Sequence, residues 1–181
     1  MSFGRVNQQW TSFSRMWHVI NAFQQPPGKV ADLAAKYVSG RHKPLQCYSS
    51  DGVLGDHVVV VNSRHISFSG NKWEEKQFRS STGRTQGVMG LAAWECHKLD
   101  PTWVMRRMTY RALSYDRERR RNVFNRLHVF ADEDIPEEIR ENISNVIEAP
   151  RRLYKRLEDY TEEEVAEFPQ LWIPGHDFVN R

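Results

Sequence analysis

The stretch DHVVVVN, Asp56 to Asn62, decides the fold. Four consecutive valines leave no polar face, so the segment reads as a short strand buried on both sides rather than as a half-exposed one. The nearest periodic segment upstream is KVADLAAKYVS, Lys29 to Ser39. It places Val30, Leu33, Ala34, Tyr37 and Val38 at helical spacing, begins after Pro26-Pro27-Gly28 and stops at Gly40. A strand buried on both faces after an amphipathic helix implies layered α/β architecture with a parallel component. A further strand is expected before the helix, at Met16 to Ala22 (MWHVINA).

Downstream, Asp100-Pro101 predicts a helix start, with Val104, Met108 and Ala112 on its inner face. A strand-like LHVF closes the basic half at Leu127 to Phe130. Ile135-Pro136 predicts a third helix, with Ile139, Ile143, Val146 and Ile147 on one face and Pro150 at its end. Thr161 and Glu164 have capping-box spacing, and FPQLWIPGHDF, Phe168 to Phe178, reads as an extended tail with apolar anchors. The expected organisation is a basic segment over 1–15, an α/β domain over 16–130 and an acidic extension over 131–181. The expected fold is a three-layer α/β/α domain with a small, mainly parallel sheet.

The net charge of +3 conceals a strong polarity. Residues 1–130 carry a balance of +11 and residues 131–181 one of −8. A basic body calls for a polyanionic partner, and an acidic end for a different neighbour or for solvent. No acid precedes Asp32, while Arg5, Arg15, Lys29 and several serines do, a composition shared by mitochondrial import signals. No apolar run approaches membrane-spanning length. Cys47 and Cys96 are too few for a disulfide framework, which fits a reducing or matrix-like compartment.

Signals for catalysis are weak. Ser69-Gly70-Asn71-Lys72 hints at a phosphate loop, but one glycine cannot converge several N–H groups on a phosphate, and its plainer reading is a turn. Cys47, His57, Cys96 and His97 have no spacing that pins two metal ligands together. No nucleophile elbow or catalytic cysteine motif is present, so neither an enzyme nor a cofactor is expected.

Basic residues tell more. Between Arg106 and Arg126 the chain holds eight arginines, Arg106, Arg107, Arg111, Arg117, Arg119, Arg120, Arg121 and Arg126, against two acids. The planar guanidinium fork donates paired hydrogen bonds to phosphate. Further basic groups recur at element ends: Arg41, His42 and Lys43, then Lys72, Lys76, Arg79 and Arg84, with Asn71 able to bond a phosphate or a 2′-hydroxyl. Ser80 to Gly83 and Gly87 surround Arg84 as a polar loop able to follow a backbone. Clusters at several loops suggest a broad footprint on folded RNA rather than one groove-reading helix.

Three blocks taken together, GKVADLAAKYVSGRHKP, GDHVVVVN and FSGNKWEEK, resemble the large-subunit ribosomal protein thirteen family. Gly40-Arg41-His42-Lys43-Pro44 matches the family's turn after its first helix. Gly55-Asp56 matches the opening of its buried strand, and Gly70-Asn71-Lys72 the next turn. Trp17, Ile20-Asn21-Ala22 and Arg126 to Phe130 echo its first and closing strands. Pro150 to Trp172 resembles the C-terminal extension of the family's animal mitochondrial members. Arg84-Thr85-Gln86-Gly87 stands where the family has Tyr-Pro-Gly-Gly, and Arg111-Ala112-Leu113-Ser114 where it has Gly-Met-Leu-Pro. The resemblance implies a structural constituent of the mitochondrial large ribosomal subunit, in the matrix, that binds folded rRNA early in assembly. It implies rRNA and neighbouring ribosomal proteins as partners, the latter through the extension and its anchors Leu171, Trp172 and Phe178. A free RNA-binding regulator and an α/β enzyme are the competing classes.

Overall fold

The computed structural model describes residues 13–43, 54–81, 87–113, 117–155 and 157–169. The chain divides into two compact units, Met1–Arg151 and Arg152–Arg181.

The first unit is built on a four-stranded, wholly parallel sheet. Its strands are β1 (Trp17–Asn21), β2 (His57–Val61), β5 (Leu127–Val129) and β6 (Asn145–Ile147), in spatial order β5-β2-β1-β6. The valine run is β2, held between β1 and β5, with Val19 opposite Val59 and Val60 opposite Val129. Val58, Val59 and Val60 are fully buried, as a strand covered on both faces requires. Between β1 and β2 lies α1 (Pro27–Val38), which buries Val30, Ala31, Ala34, Ala35 and Val38.

The end of α1 sets the course of the chain into β2. Gly40 has φ +77°, its N–H bonds to the Tyr37 carbonyl, and the Arg41 N–H bonds to that of Lys36. This is a Schellman cap, and the left-handed position favours glycine. Gly55 then passes so close to the helix end that a Cβ would lie 1.8 Å from the Val38 carbonyl oxygen.

Between β2 and β5 the chain forms α2 (Lys72–Glu75), the antiparallel hairpin β3 (Gln77–Ser81) and β4 (Val88–Ala92), α3 (Ala93–Leu99), α4 (Trp103–Ala112) and α5 (Arg117–Phe124). Ile20, Val58 and Val60 share a core with Val30, Ala34 and Val38 of α1, Val104 and Met105 of α4, and Val123 of α5. After β5 the chain leaves the far end of the sheet, where the Asn62 N–H meets the Asp132 carbonyl. It returns to the near end, where the Ser144 N–H meets that of Trp17. This passage, with α6 (Glu137–Arg140), runs back past β2 and β1 to reach β6. Right-handed crossovers, the near-universal hand for parallel pairs, put it on the face opposite α1. The result is a three-layer α/β/α arrangement.

The structure corrects three expectations. The third helix is only the turn Glu137–Arg140; Asn145–Ile147 is a strand on the edge of β1. Isoleucine spacing fits a helix, but a β-branched pair beside an unpaired strand edge gains a hydrogen-bond ladder instead. The compact unit that contains this sheet runs to Arg151. Ser80 and Ser81 belong to β3 and not to a loop. Finally, α4 begins at Trp103, because the Asp100 carboxylate accepts both the N–H and the hydroxyl of Thr102 (2.8 Å each) and holds Pro101 in a turn before the helix.

In the second unit α7 (Glu162–Ala166) has the expected capping box between Thr161 and Glu164. Lys155 Nζ bonds to the Glu164 carboxylate (2.9 Å), and the Tyr160 ring meets Phe168 edge-on.

Candidate nucleic-acid interface

The sequence-derived basic residues separate into two groups. The first lies where α1 hands over to β2. Asp56 is fully buried. Its Oδ2 accepts from His18 Nε2 (3.0 Å) and His42 Nε2 (2.9 Å), and its Oδ1 from Lys43 Nζ (2.5 Å) and the Met16 amide (3.2 Å). Lys43 Nζ also donates to the Ser14 carbonyl at 2.7 Å. Tyr37 stacks on His42 at 4.4 Å. Burial by itself would raise the Asp56 pKa, but hydrogen bonds from His18, His42 and Lys43 hold the carboxyl well below the usual carboxylate range. His18, His42 and Asp56 lie close enough together to resemble a metal triad. The donor set argues otherwise, because an ammonium and two N–H groups already satisfy the carboxylate. Lys43, 6% exposed, thus braces the interior, and half-buried His42 shares that work. Arg41 beside them is exposed.

The second group is mostly exposed. Arg106 and Arg111 of α4, Arg121 of α5, Arg79 of β3 and Lys72 of α2 are exposed. Arg111 lies over the Phe78 ring at 5.7 Å, and Lys76 over Phe68 and Phe78 at 5.5 and 6.0 Å. Burial first, then the positive charges of Arg111 and Lys72, lower the Lys76 pKa. That places α2 and α4 cations in one field. Arg107 Nη2 reaches the Arg79 carbonyl at 3.5 Å, which ties α4 to the hairpin. Arg120 of α5 lies over the Tyr110 ring of α4 at 5.2 Å. The fold thereby brings Lys72, Lys76, Arg79, Arg107 and Arg111 together from separate elements, while Arg106, Arg120 and Arg121 lie on α4 and α5 of the same unit. Arg126 sits elsewhere, with its guanidinium beside Gly55. Asn71 Nδ2 bonds to Glu74 at 3.3 Å, and Lys72 Nζ to Ser69 at 3.0 Å, so SGNK is a turn braced by its own side chains. Arg84 and the side chains of Arg117 and Arg119 lie outside the described residues.

The metal candidates of the sequence fall apart. Cys96 is buried in the core, and His97 Nε2 donates to the Arg64 carbonyl at 2.9 Å. His57 and His128 instead both stack on the Trp17 ring, at 4.2 and 5.1 Å, with His57 Nδ1 and His128 Nε2 3.4 Å apart. Cys47 lies outside the described residues.

One further site bears on enzyme chemistry. The order β5-β2-β1-β6 reverses direction between β1 and β6, where open α/β sheets commonly bind ligands beyond the strand ends. Here that opening is stitched shut. Gln25, fully buried, donates through Nε2 to the Arg151 carbonyl (2.8 Å) and accepts its N–H through Oε1 (2.9 Å). Sequence reading misses Gln25, since nothing local marks an amide whose partner lies 126 residues away.

The first unit is thus a parallel α/β domain whose β1–β6 opening is bridged by Gln25 and Arg151 and whose helices carry exposed arginines. The Ribosomal protein L13 family model matches residues 15–136. Over all 181 residues the chain is 35% identical to the large ribosomal subunit protein uL13m of Drosophila melanogaster, with complete coverage of both chains. It is 30% identical over 137 residues to uL13 of Salinibacter ruber, spanning 76% of this chain and 90% of that one. The match to uL13 of a Dehalococcoides mccartyi strain is 37% over 95 residues, spanning 52% and 65%. The chain belongs to the ribosomal protein L13 family and is a structural, non-enzymatic constituent of the large ribosomal subunit.

Proposed function

We propose that this protein binds and stabilises folded large-subunit rRNA in the mitochondrial ribosome, and that it joins the subunit early in assembly. The observation that carries the RNA reading is the convergence of exposed Lys72, Arg79, Arg106, Arg111 and Arg121 on one unit. Folded rRNA packs phosphates from several strands together, and a face of guanidinium groups on rigid helices offsets their repulsion. The mitochondrial reading rests on the full-length match to uL13m, which includes the acidic C-terminal stretch, and on the acid-poor start. That stretch repels phosphate and is assigned to neighbouring ribosomal proteins, with Leu171, Trp172 and Phe178 as anchors.

Replacing Arg106, Arg111 and Arg121 together by Gln tests the RNA reading without disturbing the core. Affinity for a mitochondrial large-subunit rRNA transcript is expected to fall, and the slope of log K against log salt to flatten by about 2–3. Unchanged affinity and slope would remove this face from the interface. For the cellular reading, the protein should sediment with the mitochondrial large subunit and already be present in its precursor particles. Recovery only in free fractions would favour a regulator.

A further inference from the structure

On the cationic face, Trp103, Arg106, Arg107, Tyr110 and Phe124 line a groove of about 370 Å³. Its size is that of a small-ligand site. Three aromatic rings and two guanidinium groups form its wall, with no acid there among the described residues. The rings are braced from behind: Tyr110 meets Phe124 edge-on at 5.4 Å, and Trp103 meets Phe78 edge-on at 5.1 Å. Arg107 adds an independent sign. Its Nε is shielded from solvent and has no acceptor among the described residues, although Nη2 reaches the Arg79 carbonyl. A guanidinium with one buried unpaired N–H and a single long bond to a carbonyl is incompletely paired, and a ligand oxygen at its open edge would complete it.

Phosphate recognition alone needs charge and donors, and gains nothing from half-buried rings. Unstacked RNA bases, by contrast, bind by stacking on aromatic side chains and on guanidinium planes while the backbone is held by arginine. We propose that this groove receives one unstacked nucleotide of the rRNA, its base against the aromatic and guanidinium wall and one of its oxygens on the Arg107 guanidinium. The proposal rests on the rRNA reading above and specifies how part of that contact is made. It also gives α4 and α5 a task beyond charge: they hold a single extruded residue in place, which fixes the register of the protein on the RNA.

Two measurements on the full-length protein test it. A large-subunit rRNA transcript carrying 4-thiouridine is crosslinked to the protein and the attached peptides are mapped. Crosslinks within residues 103–110 or at Phe124 are expected. In parallel, Tyr110→Leu is compared with the parent chain on a short single-stranded oligoribonucleotide and on an abasic oligomer of the same length, with a melting curve for each protein. Tyr110→Leu should weaken binding of the base-bearing oligomer roughly 5-fold to 100-fold and leave the abasic one unchanged. Equal loss on both oligomers, or crosslinks confined to other basic sites while binding persists, overturns the groove and leaves the rRNA reading intact. Absence of transcript binding by the parent chain overturns both. If Tyr110→Leu melts early, Arg106→Lys at the exposed rim replaces it, since it keeps the charge and removes the guanidinium plane, with the same base-dependent loss expected.

Discussion

Asp56 is the residue on which the first unit turns. One carboxylate joins the segment before β1 through Met16, β1 through His18, and the turn after α1 through His42 and Lys43. Asp56→Ala would strand a buried ammonium, and the expected loss is about 3–5 kcal/mol in urea unfolding. A loss under about 1 kcal/mol would mean the network is not structural. Because its folded pKa is depressed, Asp56 contributes stability that is complete above its unfolded pKa near 4 and is lost as pH falls below that value. Burial lowers the pKa of His57, with help from His128 and Arg126, and burial lowers that of His128. These two bases are held neutral when folded and take up protons more readily when unfolded, so stability also declines as pH falls below about 6.5. Acid titration followed by circular dichroism should show this two-stage decline.

Among elements, β6 shows how little local pattern decides. It is three residues long, and Val146 is 71% exposed. What holds it is its ladder to β1 together with the reciprocal bonds between Gln25 and Arg151. Gln25→Ala leaves the Arg151 amide without that partner and is expected to cost about 1–3 kcal/mol. Hydrogen exchange should quicken in residues 144–151 well before β2, and uniform protection would argue that β6 stands without the stitch. Ile139, Ile143, Val146 and Ile147 keep the spacing that predicts a helix across these residues, and such spacing cannot register an open sheet edge. By contrast α1 and β2 are legible: one carries a single apolar stripe between prolines and a glycine, the other no polar face at all.

At the scale of the whole molecule, charge is the organising feature. The body's balance of +11 suits it to a polyanion, whereas the −8 of residues 131–181 repels one. Residues 152–181 carry a balance of −3. Removing them should raise affinity for rRNA at low ionic strength, by up to about tenfold, with the gain vanishing as salt screens the charges. Filter binding across a salt series checks this, and a gain that persists at high salt would point to direct occlusion instead.

The sequence by itself determined the layer class, the helix and strand at the centre of the fold, the polarity of charge and the family resemblance, because each is written in short-range spacing or in composition. Only the tertiary structure decided which basic residues are available. Lys43 and Arg106 look alike in the sequence, yet one is neutralised by Asp56 in the interior and the other stands on an exposed helix face. The distinction depends on partners far apart in the chain, and so do the closed switch point and the aromatic groove. The physical reason is the same in all three: burial and pairing are properties of chain segments brought together, and no local pattern carries them.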